Sequence, residues 1–175
     1  MDPFAHLGLV PNFDHDPRTL RAAWLRQVAR VHPDAAGSVD TASLANEALR
    51  VLNDPSERAL LLLRHLGWEE VLADETARRA LPDGFLLEMI EYRERADSLD
   101  PSDRTARAAL LAEAHGQRDA SLARISEGFR RLPFAAGSSP SSRTEALAIV
   151  RELNVLRSFD RMIEQLEREH REPAS

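Results

Sequence analysis

Residues 17–34 read PRTLRAAWLRQVARVHPD, and the fold of the chain follows outward from them. Leu20, Trp24, Val28 and Val31 recur at the steps of three and four that place side chains on one face of an α-helix. That face is expected to enter a core. Arg18, Arg21, Arg26 and Arg30 lie elsewhere on the same helix, and the helix holds no acid. Asp16 before Pro17 supplies an N-cap acceptor, followed by a residue whose φ is preset for the first helical position. At the other end Pro33 cannot continue the hydrogen-bond ladder and pushes His32 away from αR toward extended geometry. His32 is therefore expected at a helix end on a forced turn. An imidazole placed there either meets the helix dipole or belongs to a binding tripeptide, and His32-Pro33-Asp34 taken alone is a weak signal.

The same aspartate–proline start recurs at Asp2-Pro3, Asp54-Pro55 and Asp100-Pro101. Glu57 and Asp103 follow Asp54 and Asp100 at the spacing of a capping box. No segment alternates apolar and polar residues long enough for a strand, so the chain reads as all-α. Helices are expected at about 3–8, 17–31, 40–52, 55–66, 70–80, 83–98, 101–132 and 143–170. A second apolar register, Leu44, Ala48, Val51 and Leu52, marks the helix after the tripeptide. The stretch 133–142, PFAAGSSPSS, is a connection rich in proline, glycine and serine. A domain boundary is expected near Gly67. This gives a unit over 1–67, a connecting helix or linker over 68–82, an antiparallel helical bundle over 83–170 and a disordered tail over 171–175.

Composition narrows the function classes. The 175 residues carry a net charge of -6, and all 23 basic residues are arginine. Nonspecific nucleic-acid binding gains no support from that balance. No apolar run reaches the ~20 residues of a membrane span. No basic segment followed by an apolar core opens the chain, so no secretory signal is visible and a cytoplasmic location is expected. With 0 cysteines, this chain can offer no disulfide, thiolate metal site or cysteine nucleophile. The histidines at 6, 15, 32, 65, 115 and 170 include no pair at helical metal-site spacing. Neither a glycine-rich phosphate loop nor a nucleophile elbow is present. No catalysis and no cofactor are expected of the chain itself.

Context strengthens the tripeptide. A basic amphipathic helix precedes it, a short glycine-containing loop follows, and a second amphipathic helix comes next. Asn53-Asp54-Pro55-Ser56-Glu57-Arg58-Ala59 then opens another helix. Over residues 3–66 this arrangement resembles the J-domain, a module that docks on ATPase chaperones of the DnaK class. The resemblance implies a helical hairpin with His32, Pro33 and Asp34 at its tip. It also implies that Arg21, Arg26 and Arg30 are chaperone-binding residues, that Trp24 takes a usually aromatic place, and that Asn46 and Ala48 match the pattern of the next helix. Ala35, Leu49 and Val31 depart from it, standing where a basic residue, an aromatic residue and a tyrosine are usual. The implied mechanism is allosteric: the arginine face steers toward an acidic groove. His32 and Asp34 then make polar contacts that favour the hydrolysis-competent state of the ATPase.

The helix over 83–98 carries two apolar faces. Phe85, Met89, Tyr92, Ala96 and Leu99 form a core stripe, while Leu86, Leu87 and Ile90 form a second patch edged by Glu91 and Glu94. One buried stripe suffices for a surface helix, so the second patch is either a partner site or is covered by a neighbouring helix. Ile149, Leu153, Leu156, Ile163 and Leu166 supply the stripe of the last helix, with Val155 and Met162 off it. Leu111, Leu122, Ile125, Phe129 and Leu132 supply that of the helix over 101–132, which Arg118 interrupts.

A J-domain followed by a three-helix bundle in so short a chain is similar to the HscB family of iron–sulfur cluster biogenesis. The segments Phe85–Glu94 and Val150-Arg151-Glu152-Leu153 onward carry that resemblance. It implies that the bundle binds the scaffold protein IscU and delivers it to the chaperone HscA. The client-binding positions would be Leu86, Leu87, Ile90, Glu91 and Glu94, with Val155 at a further, usually aromatic position. The cysteine-built zinc site of some members does not transfer. Three other readings remain open: a J-domain protein with another client, an enzyme, or a helical adaptor with no chaperone role.

Overall fold

In a computed structural model of the chain, residues 2–30, 38–100, 102–132 and 139–171 are described. They form nine helices and no strand, so the described residues are all-α. The chain divides into two compact units, Met1–Trp68 and Glu69–Ser175.

The first unit holds α1 (Pro3–Leu7), α2 (Pro17–Ala29), α3 (Ser38–Asn53) and α4 (Pro55–His65). Three of these begin as the aspartate–proline pairs predict. The carboxylates of Asp2, Asp16 and Asp54 accept from the backbone N–H groups of Phe4, of Arg18 and Thr19, and of Ser56 and Glu57. The Thr19 hydroxyl also donates to Asp16, and this bond holds the Asp16 carboxyl below its ordinary pKa. Gly8 ends α1 at φ 65, a left-handed conformation that glycine adopts without penalty. The antiparallel hairpin of α2 and α3 is tied by the Trp24 indole, which donates to Asn46 Oδ1 at 2.9 Å. Its core is Phe4, Leu7, Leu20, Ala23, Ala45, Ala48 and Leu52, with Trp24, Val28 and Leu49 packed against it.

Two details of this unit differ from expectation. Glu57 does not close a capping box with Asp54. Its carboxylate takes two hydrogen bonds from Arg50, an ion pair reaching back to α3. The apolar register of α3 runs through Ala45, Ala48 and Leu52, which leaves Leu44 exposed.

In the second unit, the helix expected over 70–80 is split into α5 (Glu69–Ala73) and α6 (Glu75–Arg79). Asp74 breaks it by capping the new start, accepting from the N–H groups of Thr76 and Ala77. Both short helices pack on the last helix. The Asn154 amide donates to the carbonyls of Ala77 and Ala80, and Arg143 pairs with Glu70 and Asp74.

The antiparallel bundle proper is α7 (Phe85–Ser98), α8 (Arg104–Arg131) and α9 (Pro140–Arg171). α8 begins three residues later than its Asp-Pro pair suggests. Asp100 spends its carboxylate on Ser102, and Asp103 itself is the cap, accepting from Ala106 N–H. Arg118 reaches the edge of α8 and there binds Asp160 of α9 at 2.6 Å.

Burial in α8 also departs from the leucine stripe. Leu110, Ala114, Ser121, Ile125 and Gly128 face inward, while Leu111, Leu122 and Phe129 are only partly buried. The small residues allow α8 and α9 to approach closely: a Cβ on Gly128 would stand 2.6 Å from Cγ1 of Ile149.

Candidate functional site

Two exposed surfaces, one in each unit, carry the residues singled out by the sequence. In the first unit Leu20 and Ala23 turn α2 inward, and this fixes which side of the helix meets solvent. Arg18, Arg21, Arg26 and Arg30 are all exposed. None of the four forms an ion pair among the described residues, in a chain whose other arginines are repeatedly paired. The helix therefore presents uncompensated positive charge, which is available to an acidic surface. His32, Pro33 and Asp34 lie outside the described residues. α2 leads up to them and α3 begins four residues after Asp34.

In the second unit α7 is anchored by Phe85 and Tyr92, both edge-on to Phe159 with ring centroids 5.7 Å apart. The Tyr92 hydroxyl donates to Glu113, which also takes two hydrogen bonds from Arg95. Burial first, then the carboxylate beside it, pushes the Tyr92 phenol up to about 12. The Arg95 contact holds Glu113 below its ordinary value. This anchoring points the opposite face outward. Leu86, Leu87 and Ile90 are 65%, 60% and 53% exposed, so no described helix of the second unit covers them. Glu91 and Glu94 are exposed beside them and form no ion pair among the described residues, whereas Arg93 is matched to Asp97. The result is a leucine–isoleucine patch bordered by exposed carboxylates.

Val155 does not belong to that surface. It is 3% exposed and packs in the bundle core with Phe85, Leu110, Phe159 and Met162. Met162, also read as off the stripe, is buried in the same cluster. The reason is the crowding of α9, which is met by α5 and α6 as well as by α7 and α8. Its buried arc is wider than a two-helix contact requires, and it takes in positions that a single stripe leaves out. Val155 is thus a core residue and no part of the exposed patch.

Comparison with known proteins gives a consistent assignment. The chain is 35% identical over 135 residues to the Co-chaperone protein HscB homolog of Bordetella avium, an alignment spanning 72% of this chain and 78% of the relative. It is 38% identical over 127 residues to that of Burkholderia mallei, spanning 67% and 71%. The chain belongs to the HscB co-chaperone family. Solved structures agree at the level of the fold. HscB from Vibrio cholerae superposes with a TM-score of 0.71 at 23% identity, covering 96% of each chain. Human HscB superposes with a TM-score of 0.74 at 18% identity, covering 97% of this chain and 82% of that one. No family model matches the sequence.

Within this HscB-type framework, the exposed apolar side chains that the sequence pattern did not single out include Val10 and Leu25. Leu25 stands at 51% exposure on the arginine side of α2. The signal was present: a leucine outside the Leu20–Trp24–Val28 register has no core to enter. Among the described residues no group of three histidine, aspartate or glutamate side chains is placed to hold a metal ion, and no helix is long and apolar enough to cross a membrane.

Proposed function

We propose that this chain triggers ATP hydrolysis by a DnaK/HscA-class chaperone through His32-Pro33-Asp34 and delivers an IscU-type iron–sulfur scaffold to it. The observation that carries the first half is the unpaired arginine face of α2, which leads directly to the tripeptide in a chain of the HscB family. Arg21, Arg26 and Arg30 steer the module onto an acidic groove of the ATPase and make its arrival salt-sensitive. Pro33 holds the bend, and His32 and Asp34 make the polar contacts that favour the hydrolysing state. The chain does no bond-breaking itself. It acts by binding one state of the ATPase better than the other. Its work is expected in the cytoplasm.

The client half is supported by the exposed patch of Leu86, Leu87 and Ile90 with Glu91 and Glu94 at its border. An apolar centre with a charged rim is the composition of a protein-binding site. The scaffold surface that fits it is apolar with basic residues around it.

Single-turnover ATP hydrolysis by a purified HscA-class chaperone tests the first half. The wild-type chain is expected to accelerate hydrolysis, and His32→Gln to abolish the acceleration with the circular dichroism spectrum unchanged. Full stimulation by His32→Gln would take the trigger away from the tripeptide, and no stimulation by the wild type would leave the chain as a helical adaptor. Titration calorimetry with IscU tests the second half. Binding that weakens about ten-fold or more in the Leu87→Ala/Ile90→Ala double variant supports it. Absence of heat alongside normal ATPase stimulation assigns the patch to a different client.

A further inference from the structure

The exposed side of α2 is not uniformly charged. Ala22, Leu25 and Ala29 follow one another at steps of three and four, so they form one line along the helix. All three are exposed. Leu25 lies on the side opposite the buried Leu20 and Ala23. Helical spacing puts Arg21 along one flank of this line, Arg26 and Arg30 along the other, and Arg18 at its N-terminal end. A large aliphatic side chain therefore stands up from between small neighbours, inside a ring of guanidinium groups that have no acid partner among the described residues.

Solvated arginines do not need such a centre, and a leucine placed there adds helix propensity but buries no apolar surface in the core of its own unit. An apolar point desolvated within a charged rim is how protein contacts acquire residence time, while the rim governs encounter. Charge complementarity selects the occupant: an acidic protein surface with an apolar recess at its middle. Resting on the reading that α2 meets the ATPase chaperone, we propose that Leu25 is the apolar anchor of that contact, seated in a recess of the chaperone's acidic surface between the carboxylates that meet Arg21 and Arg26.

Surface plasmon resonance on the immobilised ATP-bound chaperone, from about 50 to about 300 mM salt, separates the contributions. Leu25→Ser is expected to raise the off-rate about ten-fold while leaving the on-rate and its salt dependence within about two-fold. Leu25→Met is expected to restore the slow off-rate. Arg21→Ala should instead lower the on-rate and flatten the salt dependence. Because Leu25 faces away from the core, the melting temperature of each Leu25 variant should match the wild type, and a loss of fold would overturn the exposed placement itself. An unchanged off-rate in Leu25→Ser, with Arg21→Ala still impaired and His32→Gln still inactive, overturns the anchor and leaves the docking reading standing. Failure of the wild type to bind the chaperone overturns both. A wild-type dimer in sedimentation equilibrium that Leu25→Ser dissociates overturns the proposal in favour of a second copy of this chain as the occupant.

Discussion

At the scale of single residues, buried polar side chains are held by specific partners. Tyr92 is fixed by its spacing as a core residue of α7, yet its hydroxyl finds Glu113, which Arg95 also grips. With the phenol raised to about 12 by burial and by that carboxylate, the sign of its pH effect follows. The neutral form is favoured in the folded state. Its contribution to stability is fully present below the ordinary value of 10.0 and is lost as pH rises toward 12. Ultraviolet titration should show the single tyrosine ionising well above pH 10 in the native protein, and Tyr92→Phe should remove the accompanying alkaline loss of stability. An ordinary titration near 10 would contradict the buried contact. Arg58 makes a second case. It is 9% exposed, donates to the Leu52 carbonyl and lies 5.2 Å from the centre of the Phe13 ring. Arg58→Ala is expected to destabilise the first unit by about 2 kcal/mol in urea unfolding, because it strands a carbonyl and empties packed space. No local pattern forecasts either pairing, since Glu113 is 21 residues from Tyr92 and Phe13 lies in the loop before α2.

At the scale of elements, the sequence was most legible where a local device sets the structure. Asp2, Asp16 and Asp54 start their helices as written, and the periodicity of α2 and α7 identifies their buried faces. It was least legible where a neighbour decides. On α8 the expected stripe holds at Ile125 and Leu132, which are buried, but close approach to α9 turns the buried face toward Ala114, Ser121 and Gly128 and leaves Leu111, Leu122 and Phe129 partly exposed. Val155 is the same lesson on α9: a stripe read from one helix cannot reveal how many others surround it. Gly128 yields a direct prediction. Alanine gains about 1 kcal/mol of helix propensity over glycine, but a methyl 2.6 Å from buried Ile149 forces repacking that costs about 1–3 kcal/mol. Gly128→Ala should therefore lower the melting temperature by several degrees, and Gly128→Ala with Ile149→Val should recover part of it. A more stable Gly128→Ala would mean that the two helices stand farther apart than described.

At the scale of the whole molecule, the chain sets an arginine-faced helical hairpin in one compact unit and an acid-bordered apolar patch in the other. Each patch residue on α7 is more than half exposed, so Leu87→Ala with Ile90→Ala should leave thermal stability nearly unchanged while weakening client binding. A marked fall in the melting temperature would instead make those side chains core. The arginine face of α2 and the second apolar patch of α7 could be read from helical spacing, as residues that a core stripe leaves over, but spacing left open whether a neighbour covers the patch, and the hairpin followed from the resemblance to the J-domain. Leu25 likewise falls outside the core register of α2, but spacing gives no measure of its exposure, which the structure supplies. The most direct test of the account is the single-turnover rate of ATP hydrolysis by an HscA-class chaperone with this chain, with a limiting amount of IscU, and with both together. The account predicts that the chain alone accelerates hydrolysis and that both together exceed the product of the separate effects. It also predicts that Leu87→Ala/Ile90→Ala loses only this excess. Merely multiplicative rates, or an excess that the double variant keeps, would contradict it.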